Sequence, residues 1–160
     1  MSEEKKLRPS WDEYFSHLAN LIGERGTCDR GHCGALVTKE RRIVSTGYAG
    51  SPAHTKHCDE AGHELHMVTH EDGSESQHCI RTTHAEQNAI CQAARFGIAL
   101  DGGALYTKMA PCYTCAKMII NSGIKKVVCN KDYHASARSK EIFIEAGVEF
   151  ILLDNQVVEY

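Results

Sequence analysis

Two short stretches hold four side chains that could do chemistry together: His84 and Glu86 in His84-Ala85-Glu86, and Cys112 and Cys115 in Pro111-Cys112-Tyr113-Thr114-Cys115. An imidazole and two thiolates are ligands that zinc prefers, and a catalytic zinc takes three protein ligands and leaves a position for water. A carboxylate beside such an ion, without ligating it, can take a proton from water and deliver it elsewhere. Cys-x-x-Cys alone also suits a redox pair, and His-x-Glu alone is common by chance. Their combination points to a metal site.

The flanking residues place both motifs at helix starts. Ala85, Ala89, Ile90, Ala93, Ala94 and Phe96 recur at helical intervals before Gly97, which predicts a helix from about His84. Pro111 is expected at the first turn of another helix, whose apolar residues Ala116, Met118, Ile119 and Ile120 lead to a stop at Gly123. Unsatisfied N–H groups and the helix dipole favour thiolates at such ends. Residues two apart on a regular helix point about 200° away from each other. His84 and Glu86 therefore share a pocket only if the motif lies at the very end of its helix. H-x-E followed by P-C-x-x-C is the pattern of zinc nucleobase deaminases.

The rest of the chain must position these residues. Ser10 and Glu13 have capping-box spacing, and Trp11, Tyr14, Phe15, Leu18, Leu21 and Ile22 predict a helix from Trp11 to about Gly23 with a packing face. Cys33–Val37 and Arg42–Thr46 read as a β-hairpin, closed by turn residues from Gly47 to Pro52. Strands are expected at Ala104–Thr107, Lys126–Cys129 and Val148–Leu153, with a helix from Ser136 to Ala146. The segment from Ala53 to about Thr83 shows no clear periodicity and is too long for an ordinary connection. The order implies an α/β fold with a mixed sheet between helices. We expect one domain over residues 1–160, with a Cys/His-rich insertion at about 49–83.

Composition excludes several classes. The 160 residues are 42% apolar and 24% charged, which suggests neither disorder nor a fibrous protein. No apolar run approaches the ~20 residues of a membrane span, and the first residues lack a signal-peptide core, so a cytoplasmic location is expected. A net charge of −3 gives no general footprint for nucleic acid. Eight cysteines in a reducing compartment read as metal ligands, catalytic groups or packing residues before disulfides. Seven of the ten histidines fall between His54 and His84.

The stretches His84–Ile90 and Pro111–Ile120, with Arg8–Asp12, Ile43–Tyr48 and Gly123–Val128, resemble the deoxycytidylate (dCMP) deaminase family along nearly the whole chain. The resemblance implies a cytidine deaminase-like three-layer α/β/α fold with a central five-stranded mixed sheet. It also implies hydrolysis of dCMP to dUMP and ammonia for thymidylate synthesis, with a pyrimidine nucleotide as ligand. One catalytic zinc on His84, Cys112 and Cys115, Glu86 as acid and base, assembly into hexamers, and dCTP and dTTP as effectors are further implications. Some members carry a second, structural zinc, and Cys28, Cys58, His63, His78 and Cys79 remain as donors for it. We expect Cys28 and Cys58 with two of the other three, because a metal clip orders a long polar segment. The alternative is a buried Cys28 thiol and exposed histidines. Cys33, Cys91 and Cys129 are expected to pack. The family commonly has Gly-Tyr-Asn-Gly where this chain has Gly47-Tyr48-Ala49-Gly50, which bears on substrate choice. Arg30, Ala49, Tyr133 and His134 are the candidate substrate contacts. Another cytosine nucleotide or nucleoside, or a non-catalytic zinc-stabilised protein, are the competing readings.

Overall fold

A computed structural model describes residues 8–154 and the backbone of residues 157–158. In chain order the elements are α1 (Trp11–Gly23), β1 (Gly34–Lys39), β2 (Arg42–Tyr48), α2 (Cys58–Ala61), β3 (Leu65–Thr69), β4 (Glu75–Cys79), α3 (Ala85–Phe96), β5 (Ala104–Met109), α4 (Tyr113–Asn121), β6 (Lys126–Tyr133), α5 (Ala137–Glu145), β7 (Glu149–Leu152) and β8 (Val157–Val158). The main sheet runs β2-β1-β5-β6-β7, with β8 added beside β6. β1 is antiparallel to β2 and β5, whereas β5, β6 and β7 are parallel. The expected five-stranded mixed sheet is present.

Strand alternation divides the core into two layers, because successive side chains point to opposite faces. Leu36, Tyr106 and Val128 stand in register across β1, β5 and β6 and pack with Phe15 and Ala19 of α1. Their neighbours Val37, Leu105 and Val127 face the other way and pack with Ala89, Ile119 and Phe143 of α3, α4 and α5. Asp12 joins α1 to the sheet by accepting from Tyr106 Oη at 2.9 Å and pairing with Lys126 Nζ at 2.8 Å. The capping box of α1 is formed as the sequence predicts, with Ser10 N donating to Glu13 Oε2 at 2.8 Å.

Helix α3 lies hard against β2. A Cβ at Gly47 would come within 2.3 Å of Ala85 O and 2.4 Å of Ala89 N, so only a bare Cα allows this approach. Ser45 Oγ donates to Ala89 O at 2.6 Å, and Asn88 Nδ2 donates to Tyr48 O at 2.7 Å. One bond runs from strand side chain to helix backbone and the other from helix side chain to strand backbone, so the two elements are tied at both ends of the contact.

Four expectations are corrected. The region from Ala53 to Thr83 contains α2 and a two-stranded sheet, β3–β4, where the sequence shows no period. Its strand β3 is exposed along its whole length, so no buried face imposes an apolar alternation. Pro111 is not in the first turn of α4: Cys112 is the N-cap, and the proline ends the approach from β5. Gly47 and Tyr48 belong to β2 rather than to a turn. Cys91, expected to pack, is exposed, on the side of α3 away from the sheet. Among the described residues no helix is long and apolar enough to cross a membrane.

Gly47→Ala should lower unfolding stability by about 3 kcal/mol, since the added methyl meets backbone that cannot rotate away. A shift in denaturant midpoint at unchanged slope would measure it.

Candidate active site and a second donor cluster

Helices α3 and α4 begin beside each other, with His84 and Cys112 as their N-caps. The N–H of His84 donates to Gln87 Oε1 at 3.0 Å, so the start of α3 is closed without the imidazole, which turns to the sulfurs. His84 Nδ1 lies 3.6 Å from Cys112 Sγ and 3.4 Å from Cys115 Sγ. Ligands of a tetrahedral zinc with the usual bond lengths stand about 3.6 Å apart, so these three donors could hold one zinc ion. All three ligand atoms lie within 4.8 Å of one another.

The electrostatics suit a cation. The neighbouring Cys115 thiol, followed by His84, holds Cys112 down to about 4, so its thiolate is the ground form at neutral pH. That thiolate in turn raises the His84 imidazolium to about 9. Metal binding here would expel the protons that these donors carry.

Glu86 is 6% exposed and lies behind the donors. Thr107 Oγ1 donates to its Oε1 at 3.3 Å, and Cys115 Sγ lies 3.8 Å from its Oε2. Burial raises the carboxyl pKa, against the pull of His84. A carboxyl so placed holds a proton more readily than an exposed one and can pass it to a group beside it. His84, Glu86 and Cys112 line a cavity of about 140 Å³, while Cys115 lies outside its lining. Thr107 was not anticipated from the sequence. Its signal is the alternation of β5, which sets it on the same face as Leu105, toward α3.

A second group forms next to the first. Cys28, Cys58, His63 and Cys79 place four ligand atoms within 4.8 Å of one another. Cys58 Sγ is 3.6 Å from Cys79 Sγ, and Cys28 Sγ is 3.7 Å from His63 Nδ1, again the spacing of a closed tetrahedral site. Burial opposes charge on Cys79, yet donors from Glu64 N, Thr82 and His63 outweigh it and hold the thiol down to about 6. His63 Nε2 lies 2.9 Å from Asp29 Oδ1, the outer carboxylate that commonly orients a ligating imidazole. His78, the fifth candidate, is excluded by strand alternation. It faces away from Cys79, with Nε2 2.9 Å from Ser76 Oγ and 3.3 Å from Tyr133 Oη.

The candidate substrate contacts divide. Arg30, Ala49 and Tyr133 line the cavity, and so does His78. Arg30 Nη2 donates to Gln77 O at 2.8 Å. His134 is not in the lining and instead sits 3.4 Å from His70 Nε2. Cys129 packs as expected, fully buried, and so does Cys33, which precedes β1, rests against the core and also reaches the cavity.

A three-ligand metal site with a buried carboxylate, set at helix starts over a mixed sheet, is the framework of a metal-dependent hydrolase. The profile of the cytidine and deoxycytidylate deaminase zinc-binding region matches residues 9–131. ComE operon protein 2 of Bacillus subtilis is 38% identical over 154 residues, covering 95% of this chain and 77% of that protein. Deoxycytidylate deaminase of Saccharomyces cerevisiae is 34% identical over 143 residues, and the chain spans 44% of its length. The crystal structure of dCMP deaminase from cyanophage S-TIM5, in complex with dCMP and dUMP, matches with a TM-score of 0.74 and 30% identity over 91% of this chain and 98% of that one. The chain belongs to the cytidine and deoxycytidylate deaminase family, with the cytidine deaminase-like fold.

Cys115→Ser should reduce bound zinc by about one ion per chain, measured by elemental analysis of the purified protein, because it removes one of only three donors.

Proposed function

We propose that the protein hydrolyses the exocyclic amine of dCMP, giving dUMP and ammonia. The observation that carries this reading is a carboxylate, Glu86, buried beside three zinc-type donors at the wall of a cavity. The similarity to a dCMP deaminase solved with dCMP and dUMP supplies the substrate.

His84, Cys112 and Cys115 would hold a zinc ion, which supplies a Lewis acid that makes water nucleophilic near neutral pH. Glu86 takes one proton from the attacking water and passes it to the pyrimidine ring nitrogen, where it stays, and then carries the second, from the hydroxyl now on carbon 4, to the amine, which departs as ammonia as the carbonyl forms. Thr107 holds the carboxylate through its hydrogen bond, so that both transfers start from one position. The cavity lining also offers Arg30, His78 and the Tyr133 hydroxyl to the 5′-phosphate. Ala49 presents only a methyl group and makes no side-chain hydrogen bond there. That leaves room for a modified cytosine nucleotide as the second reading.

Cys28, Cys58, His63 and Cys79 would hold a second, structural zinc, making two ions per chain. Residues 49–83 then act as an insertion in a single catalytic domain. A homohexamer, effector control by dCTP and dTTP, a cytoplasmic location and a role in supplying dUMP for thymidylate synthesis complete the reading.

Purified protein incubated with dCMP, dCTP, CMP and deoxycytidine, with and without dCTP or dTTP, should deaminate dCMP fastest, followed by ultraviolet absorbance. Retained zinc with no deamination of any of these would overturn the reading in favour of a binding protein. Glu86→Gln should keep its metal and lose at least about 10²-fold in kcat. Thr107→Val should lower kcat about tenfold with little change in KM, and Thr107→Ser should restore it, as expected for one hydrogen bond to a charged group.

A further inference from the structure

We infer that the Cys28–Cys58–His63–Cys79 cluster determines specificity: a metal ion held there fixes the end of the cavity that receives the phosphate, and its occupancy sets the preference for nucleotide over nucleoside. The inference rests on the phosphate and second-zinc assignments just made.

The connection is covalent and short. Arg30 follows Cys28 by two residues, and His78 immediately precedes Cys79. These two phosphate-facing side chains come from distant parts of the chain, and the donor cluster brings their backbones together. A single hydrogen bond, from Arg30 Nη2 to Gln77 O at 2.8 Å, ties the same segments directly. Asp29, between Cys28 and Arg30, contacts His63 Nε2 at 2.9 Å, so orienting the imidazole also orients the residue before Arg30.

The hairpin that carries His78 has little else to hold it. Among the described residues β3 and β4 pair only with each other, and β3 is exposed throughout. An isolated two-stranded hairpin is at best marginally stable in water. Its turn is tied down by an ion pair between Glu71 and Arg138, both well exposed, and by the approach of His70 to His134. Exposed pairs of this kind contribute little. The base of the hairpin, where the cavity wall lies, is held by the cluster together with the Arg30–Gln77 bond and the 3.3 Å approach of His78 Nε2 to Tyr133 Oη, and of these only the cluster joins the hairpin to both α2 and the approach to β1.

The hydrolytic donors do not depend on it. His84, Glu86 and Cys115 are braced by α3 and α4 against the sheet, with Ala85 and Ala89 in the main core. Between cluster and helix the chain is pinned at Thr83, which exchanges backbone hydrogen bonds with Gly50 at 2.8 and 3.2 Å. Cys28 and Cys79 touch the cavity, but Cys58 and His63 do not. Substitution of His63 therefore removes a metal donor without altering the wall itself.

The test compares the full-length wild type with His63→Ala. Bound zinc is counted, dUMP and deoxyuridine affinities are measured by calorimetry, and kcat and KM are measured for dCMP and deoxycytidine. The expected result is a fall from two zinc ions to one, with dUMP affinity and KM for dCMP each worsening about tenfold, the equivalent of one charge-assisted hydrogen bond. Deoxyuridine affinity and deoxycytidine turnover should stay within about twofold, and His63→Cys should restore both metal and dUMP binding. Loss of one zinc with unchanged dUMP binding overturns the inference and leaves the two-zinc assignment standing. Equal losses for nucleotide and nucleoside overturn it as well, since they mark a general structural role. A wild type with one zinc, or one that binds dUMP no better than deoxyuridine, defeats the underlying assignments themselves. If His63→Ala is insoluble, the same measurements on wild type stripped of one zinc equivalent by stepwise chelation decide the matter.

Discussion

Two helix N-termini brought to a single point are the constraint on which the site depends. Each helix alone presents unsatisfied N–H groups and a partial positive charge. Together they make a place where thiolates are favoured and where a carboxylate two residues after an imidazole can still share its surroundings. The sheet makes the convergence possible. β5 is central, and one strand delivers Thr107 under Glu86 and then, past Pro111, the two sulfurs of α4. Gly47 allows α3 to lie close enough to β2 to meet them.

The second donor cluster solves a different problem. The first set of donors is positioned by the packed core, and a metal there has chemistry to do but little folding to provide. The second set lies where neither layer of the core extends: on the approach to β1, on the four-residue α2 and at the end of a hairpin. A metal held there would supply order by coordination in place of burial, a substitution familiar in small domains that lack apolar area. Residues of both clusters line the same cavity, so a metal at the second would set one wall by ligand bonds where hydrophobic packing sets the other.

The sequence was readable where an element has a buried face or a defined end. Ser10, Gly97 and Gly123 mark helix boundaries, and the apolar repeats of α1, α3 and α4 follow from their contact with the sheet. The cysteines and His84 announced themselves by type and spacing. The hairpin β3–β4 did not, because both its faces meet solvent at most positions and its residues carry no period. Choosing between His78 and Cys79 required knowledge of strand register, which no local pattern supplies. Thr107 looks like any β-branched strand residue until α3 is placed over it, and Pro111 fits a first helical turn equally well until Cys112 is seen capping the helix.

In β4 Cys79 of the second donor cluster and the cavity-lining His78 are consecutive residues on opposite faces of one strand. Chain length between the turn and Thr82 is therefore fixed by parity. Removing one residue there would turn an imidazole toward the sulfurs and a thiol away from them, whereas removing residues from the turn at Glu71–Ser74 would leave both faces in place. Homologues of this chain should tolerate length variation at one end of this hairpin and none at the other.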